Sequence, residues 1–186
     1  MIFDTAAQPT PDLVRYSAFI VHRSSFIISP LMPESLLIRR YCPADQAQVM
    51  ELHILPMQQV GAYKGEGPWD DDLRQIEREY CTPYGDFLVG VVEGQIVVMG
   101  ALRKTGSGRC EIRRVRVHPG FQRQGLGRKI VNRLEGQARL LGYHTVHLQT
   151  QEIQHAAREF YRRLGYREVR HKIVDDRAYV EFEKTL

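Results

Sequence analysis

Glu111-Ile-Arg-Arg-Val-Arg-Val-His-Pro-Gly-Phe-Gln-Arg-Gln-Gly-Leu-Gly-Arg-Lys129 is the stretch whose reading decides the fold. It reads as a strand, a turn at Pro119-Gly120, and a glycine-bearing loop that opens a helix. Arg113, Arg114, Arg116, Arg123, Arg128 and Lys129 make it the most basic part of the chain. The first N–H groups of a helix find no carbonyl inside it, and the helix dipole is positive there. Such an end binds anions, phosphate above all. The strand itself carries a second signal. Ile112, Val115 and Val117 are its core candidates, yet Ile112 and Val115 are three apart, which breaks the two-residue period of a strand. A β-bulge around Arg113-Arg114 returns both to one face.

Upstream of this stretch, Phe87–Val92 and Gln95–Leu102 flank Glu93-Gly94 as a hairpin, and Lys104–Arg109 reads as a second turn. Before them come a strand over Leu36–Tyr41, a helix from Pro43 to Leu55, a loop over Gly61–Trp69, and an acid-started helix from Asp70 to Tyr80. Downstream, Leu126, Ile130, Val131, Leu134, Ala138 and Leu141 recur at helical spacing and Gly142 ends the run. A strand over Thr145–Thr150, a helix over His155–Leu164 and strands over Tyr166–Ile173 and Arg177–Lys184 complete the chain. The order β-α-α-β-β-β-α-β-α-β-β predicts an α/β (α+β) domain, a mixed sheet with helices on its faces, over 36–186. Residues 1–35, broken by Pro9, Pro11, Pro30 and Pro33, read as a flexible N-terminal extension, with Met32 a candidate alternative start.

The chain has 186 residues, 43% hydrophobic and 26% charged, enough for one domain with a core. A formal net charge of +4 suits an anionic ligand and is far from a polybasic tail. Cys42, Cys81 and Cys110 are odd in number and far apart, which argues against a disulfide framework or metal site and for a reducing cytoplasm. No apolar run is long enough to span a membrane. No stacked-aromatic motif suggests nucleic acid.

Three phosphate-loop patterns compete for Gly120–Lys129. A Walker loop needs lysine and a hydroxyl after its second glycine, where Leu126-Gly127 stand. A dinucleotide loop needs a third glycine, where Ile130 stands. The pattern that fits is Gln122-Arg-Gln-Gly125-Leu-Gly127, which resembles the Q/R-x-x-G-x-G/A signature of the GNAT N-acetyltransferases. Val115-Arg-Val-His-Pro119 resembles that family's V-x-V-x-P strand end, and Ala157-Arg-Glu-Phe-Tyr161-Arg-Arg-Leu-Gly165-Tyr166 its A-x-x-F-Y-x-x-x-G-F/Y segment.

The resemblance implies the acyl-CoA N-acyltransferase fold: a mostly antiparallel sheet, helices on both faces, and one parallel strand pair splayed by the bulge. It implies acetyl-CoA as cosubstrate and no metal. The pyrophosphate would lie on the N–H groups of Arg123–Arg128, with Arg123 and Arg128 adding charge. Gln122, Gln124, Gly125, Leu126 and Gly127 complete that loop. Val115, Arg116 and Val117 would line the acyl arm, the Val117 N–H polarising the thioester carbonyl. Tyr161 would contact the cofactor sulfur and protonate the leaving thiolate. Gln154 stands where the family usually has an asparagine that touches the pantetheine. Glu111 is the first candidate for the base, before His118 and Glu66. Cys110 offers a covalent alternative. The aromatic, glycine-rich Gly61–Trp69 loop and Asp70–Asp72 suit a cationic acceptor amine. The expected activity is direct acetyl transfer to a primary amine of a small molecule or peptide, a homodimer being compatible with it. The alternative is a non-catalytic acyl-CoA-binding regulatory module.

Overall fold

The computed structural model describes residues 36–186. The expectations for 1–35, an extension and a start at Met32, lie outside the described residues. The chain runs through β1 (Leu37–Arg40), a 3-10 turn at Pro43–Asp45, α1 (Gln46–Gln59), α2 (Asp71–Arg74), α3 (Ile76–Glu79), β2 (Asp86–Val92), β3 (Gln95–Gly106), β4 (Arg109–Val117), α4 (Leu126–Leu140), β5 (Thr145–Gln151), α5 (His155–Arg163), β6 (Arg167–Val174) and β7 (Arg177–Thr185). The strands form one seven-stranded sheet in the order β1-β2-β3-β4-β5-β7-β6. Every neighbouring pair is antiparallel except β4 with β5. This is the expected mixed sheet.

Strand alternation splits the core into two layers. On β2 and β3, Phe87, Val89, Met99 and Ala101 face α1 and the short helices, packing with Val49, Leu52, Leu73 and Ile76. Leu88, Val98 and Leu102 face the other way, onto Leu126, Ile130, Val131, Leu134 and Ala138 of α4. Those are the apolar positions whose helical spacing was read in the sequence. Apolar burial of this kind contributes roughly 1.5–3 kcal/mol per large aliphatic side chain.

Three local differences from the sequence reading have physical causes. First, α1 continues past Leu55 through Pro56 to Gln59. Proline gives up one helical hydrogen bond there, and the helix ends a turn later where Gly61 adopts φ 65° and the Ala62 N–H donates to the Met57 carbonyl. Second, 70–80 is not one helix but two single turns broken at Gln75, whose φ is −131°. That segment is pinned by side-chain bonds from Asp72 to Tyr80 and Arg114. Third, the Lys104–Arg109 turn shrinks, because Lys104 pairs with Cys110 and Gly106 with Arg109.

The bulge in β4 is present. Arg113 faces Ala101 and Arg116 faces Met99, so Arg114 and Val115 together oppose Gly100. Arg114 takes up the extra residue in the left-handed region at φ 53°. Gly100 stands opposite it, where a Cβ would press on Leu134 Cδ1 at 2.9 Å and oblige that side chain to shift. Ile112 and Val115 consequently contact the same α4-side core. Beyond the start of the bulge, β4 and β5 part. Their pairing covers Arg109–Thr145, Cys110–Val146 and Glu111–His147 and then stops, while β4 runs on to Val117 and β5 to Gln151.

Candidate active site

The loop Gln122–Gly125 meets α4 beside the open end of the β4–β5 seam. Arg123 at φ 62° and Gly125 at φ 80° turn the backbone so that successive N–H groups point outward. The first amide to find a carbonyl is Lys129, which donates to Gly125 at 3.1 Å. Among the described residues no acceptor takes the N–H groups of Arg123 to Arg128, and no side chain caps α4. Such a concave run of free amides is an anion nest. Arg123 and Arg128 stand exposed beside it, and Leu126 is buried beneath it as an anchor. Gln124 donates to the Gly120 carbonyl, and Gln122 to Gln59 Oε1 at 3.0 Å and the Val117 carbonyl at 3.4 Å. A Cβ on Gly127 would touch Phe160 and Val117 at 3.4 and 3.5 Å, so the helix start abuts both the strand end and α5.

The strand end has free backbone of its own. The His118 N–H donates to the Val97 carbonyl at 2.8 Å. Antiparallel alternation then turns the N–H of Val117 away from β3, into the seam that β5 has left. The Val115 carbonyl is taken by Arg116 Nη1 at 2.9 Å.

Tyr161 lies on α5, buried against Phe160, Tyr166 and Phe182. Burial pushes its phenol up to about 12, with Arg116 acting against that rise.

On the α1 side of the seam lies a cavity of about 390 Å³ whose lining includes Glu111, Arg116, Gln154, His53, Asp70 and Thr150. Of the residues predicted from sequence, Glu111, Arg116 and Gln154 meet here. Val115, Val117, the Gln122–Arg128 loop and Tyr161 lie outside its lining. Glu111 is buried, with Arg103 on its Oε2 at 2.9 Å and Arg113 near its Oε1 at 3.8 Å. The Gln154 amide accepts from the Gln151 N–H at 3.1 Å and reaches Met57 Sδ at 3.4 Å, tying β5 to α1. Of the weaker base candidates, Glu66 is exposed and His118 accepts from the Gly120 N–H, and neither lines the cavity. Cys110 is fully buried, and burial pushes its thiol up to about 12. Buried, outside the cavity lining and held protonated, that thiol is poorly suited to act as a nucleophile, which disfavours the covalent alternative.

The group that sequence reading missed is built around Arg114. Its guanidinium clasps both oxygens of Asp72, reaches Asp70 Oδ1 at 3.4 Å, and donates to the Trp69 carbonyl. Tyr80 donates to Asp72, and His53 Nε2 lies 3.0 Å from Asp70 Oδ1. Burial works to raise Asp72, but Arg114 outweighs it and leaves the carboxyl below its ordinary range. For Asp70 burial prevails and the shift is upward. Burial, helped by Arg116 and Arg114, takes His53 down to about 3, so its imidazole is neutral. Asp70 and Asp72 are therefore spent inside the protein, and Asp71 pairs on the surface with Arg74 at 2.8 Å. The expected cationic seat at Asp70–Asp72 is corrected to an internal brace. Its only trace in the sequence is an acid cluster and an arginine pair 42 residues apart.

Comparison with known proteins agrees with this geometry. The profile of the Acetyltransferase (GNAT) family matches residues 48–166. An N-acetylaspartate synthetase of Danio rerio is 33% identical over 100 residues, 53% of this chain and 36% of the relative, so the chain spans about a third of that protein's length. An acetyltransferase of Pectobacterium atrosepticum is 31% identical over 119 residues, 60% of this chain and 82% of the relative. Among solved structures, a GNAT-family acetyltransferase of Staphylococcus aureus superposes with a TM-score of 0.74 at 17% identity, over 81% of this chain and 99% of that one. The PaiA N-acetyltransferase of Thermoplasma acidophilum, in complex with coenzyme A, superposes with a TM-score of 0.65 at 13% identity, over 82% and 100%. At such identities the superpositions speak for the fold alone, whereas the family profile spans well over half of the chain, and with it the nest, the bulge and the seam have one explanation: this chain belongs to the GNAT acetyltransferase family.

Proposed function

We propose that the protein transfers an acetyl group from acetyl-CoA directly to an amine held in the same complex. The observation that carries this is the adjacency of the free amide nest of Arg123–Arg128 to the opened β4–β5 seam. One takes a pyrophosphate and the other an extended acyl arm. Arg123 and Arg128 supply charge to the phosphates, and Gln154 and the Val115–Val117 backbone border the arm. The N-acetylaspartate synthetase named above supports the reading to the extent that its name describes an N-acetylated product.

In the reaction the amine nitrogen bonds to the thioester carbonyl carbon. The carbonyl oxygen takes up negative charge, which the Val117 N–H, turned away from β3, stabilises in this reading. The carbon–sulfur bond then breaks, giving the N-acetylated amine and CoA thiolate. One proton leaves the amine and one reaches the sulfur. The Tyr161 phenol, protonated through the neutral range, donates to the departing sulfur; burial raises its pKa and so weakens it as an acid, and the Arg116 charge, which acts against that rise, stabilises the phenolate left behind. Glu111 receives the amine proton, directly or through water.

Acetyl-CoA-dependent thiol release over a panel of amines tests the whole reading. A CoA-induced rise in melting temperature with no turnover of any amine would replace it with the non-catalytic module. Within it, Glu111→Gln is expected to lower kcat/KM about a hundredfold at neutral pH, the usual range for a lost base. Part of that loss should return as pH approaches the acceptor's own pKa. An equal loss at every pH would assign Glu111 to its ion pair with Arg103 instead.

A further inference from the structure

Buried polar atoms in folded proteins are almost always hydrogen-bonded, and each exception calls for a cause. Among the described residues three buried side-chain atoms lack a partner: His53 Nδ1, Arg116 Nε and Thr150 Oγ1. They come from α1, β4 and β5, far apart in sequence, and all three residues line the one cavity beside the seam. Two of them, His53 and Thr150, are more than nine-tenths enclosed. A single ligand with complementary groups would satisfy all three.

The polarity of each orphan restricts that ligand. The His53 imidazole is neutral and its Nε2 faces the Asp70 carboxylate. That contact favours the ring proton on Nε2, which leaves Nδ1 with a lone pair that needs a donor. Arg116 Nε presents an N–H that needs an acceptor, on a guanidinium that carries a full charge. The buried acids around it are occupied: Asp70 and Asp72 hold Arg114, and Glu111 holds Arg103. Asp175, exposed in the same lining, has no ion pair among the described residues and is outnumbered there by Lys64, Arg113, Arg114, Arg116 and Lys172. The Thr150 hydroxyl can donate or accept. Lys64, above the Trp69 ring at 5.2 Å, adds positive charge to the same wall. A cavity with this surplus disfavours polyamines and favours a molecule with one N–H donor and one anionic oxygen pair.

Resting on the acetyl-transfer reading, we infer that the acceptor is an amine that itself carries a carboxylate, seated with that carboxylate on Arg116 and Thr150 and its amino group toward His53 Nδ1. The amine lone pair is then left free for the thioester while an N–H donates to the imidazole. Charge-assisted bonds of this kind are the strong ones.

The test uses the full chain with acetyl-CoA. L-aspartate, L-glutamate and glycine are compared with their carboxamides, with O-phosphoethanolamine, with spermidine and with a lysine-containing peptide. The free carboxylates should exceed their amides about ten- to hundredfold in kcat/KM, as loss of a charge-assisted hydrogen bond does. Arg116→Met should raise KM for the carboxylate acceptors by a similar factor, with a smaller fall in kcat, and should erase the preference over the amides. Arg116→Lys should restore part of it. The free Arg116→Met protein should melt no lower than the wild type, since a buried charge without a partner has been removed. Equal rates on acid and amide, or a preference for the phosphate, polyamine or peptide, would overturn the inference while leaving acetyl transfer intact. If no amine is turned over, the melting temperature of the CoA-saturated protein decides. A rise with millimolar amino acid in the wild type but not in Arg116→Met keeps the carboxylate seat and removes the transfer reading. No rise removes the seat. A markedly lower melting temperature for Arg116→Met would make Arg116 structural and overturn the inference too.

Discussion

Replacing Arg114 with methionine is expected to cost about 3–5 kcal/mol of folding stability, the penalty for breaking a buried ion pair by removing one partner. In a domain of this size that lowers the melting temperature by roughly 6–20 °C. The magnitude follows from the enclosure of the group. The side chains of Arg114 and Asp72 are 9% and 11% exposed, and Asp70 is 3% exposed beside them. Without the guanidinium, two carboxylates are left close together and out of water, with His53 too weakly basic to replace the charge. The effect has a pH signature whose sign is fixed. In the native protein Asp72 lies below its ordinary value, so it contributes stability above the unfolded carboxyl value of about 3.9 and loses it as pH falls through the native one. In the variant both acids should lie above the ordinary range, so falling pH helps the variant already above pH 4, where the wild-type Asp72 still keeps its contribution and only Asp70 is raised. The gap in melting temperature should therefore narrow from pH 7 toward pH 4. A gap independent of pH would mean that Arg114 stabilises by packing rather than by charge. Replacing Asp72 with leucine in the same chain should recover part of the loss, because a buried acid without its partner is worse than no acid at all.

This brace shows where sequence reading stops. The bulge was legible because a spacing of three between Ile112 and Val115 cannot coexist with an uninterrupted strand. The phosphate nest was legible because Gly125 and Gly127, with leucine rather than lysine directly after Gly125, fit one kind of loop and exclude two others. Both are local patterns, and local steric rules decide them. The Arg114 clasp is a contact between β4 and a segment 42 residues earlier, and no composition rule says which arginine of Arg113-Arg114-Arg116 takes which acid. Arg113 is left with two long contacts, to Glu111 at 3.8 Å and Asp72 at 4.0 Å. The bulge itself makes the choice, since the left-handed turn at Arg114 aims that side chain at Asp70 and Asp72. Reading Asp70–Asp72 as a cationic seat failed for the same reason: charge in a sequence says nothing about whether a partner has already claimed it. His53 was equally hidden, as one polar residue on a helix that sequence gives no cause to single out. The extension of α1 through Pro56 belongs here as well, because tertiary packing outweighs the one hydrogen bond that proline forfeits.

Tyr161→Phe is expected to lower kcat about 10²–10⁴-fold, the span of a lost general acid, while leaving CoA affinity nearly unchanged. The phenol stands among Phe160, Tyr166 and Phe182, so phenylalanine fills the same space and removes only the hydroxyl. That makes the substitution a clean separation of chemistry from packing. If Tyr161 were simply a core aromatic, the variant would bind CoA, melt at the wild-type temperature or above, and turn over normally. If it donates to the sulfur, the variant keeps the first two properties and loses the third. The pH profile adds a second criterion. Burial pushes the phenol to about 12, so it remains protonated through the neutral range, and wild-type kcat should show no falling limb there from this group. Any limb seen at neutral pH must belong to the base, and must persist in the phenylalanine variant with its midpoint unmoved. A further comparison exploits the leaving group. An acyl donor whose thiol is more acidic than that of CoA needs less help from a proton donor, so the deficit of Tyr161→Phe should shrink with it. A deficit that is the same for both thiols would place the loss before carbon–sulfur cleavage and remove Tyr161 from the step assigned to it.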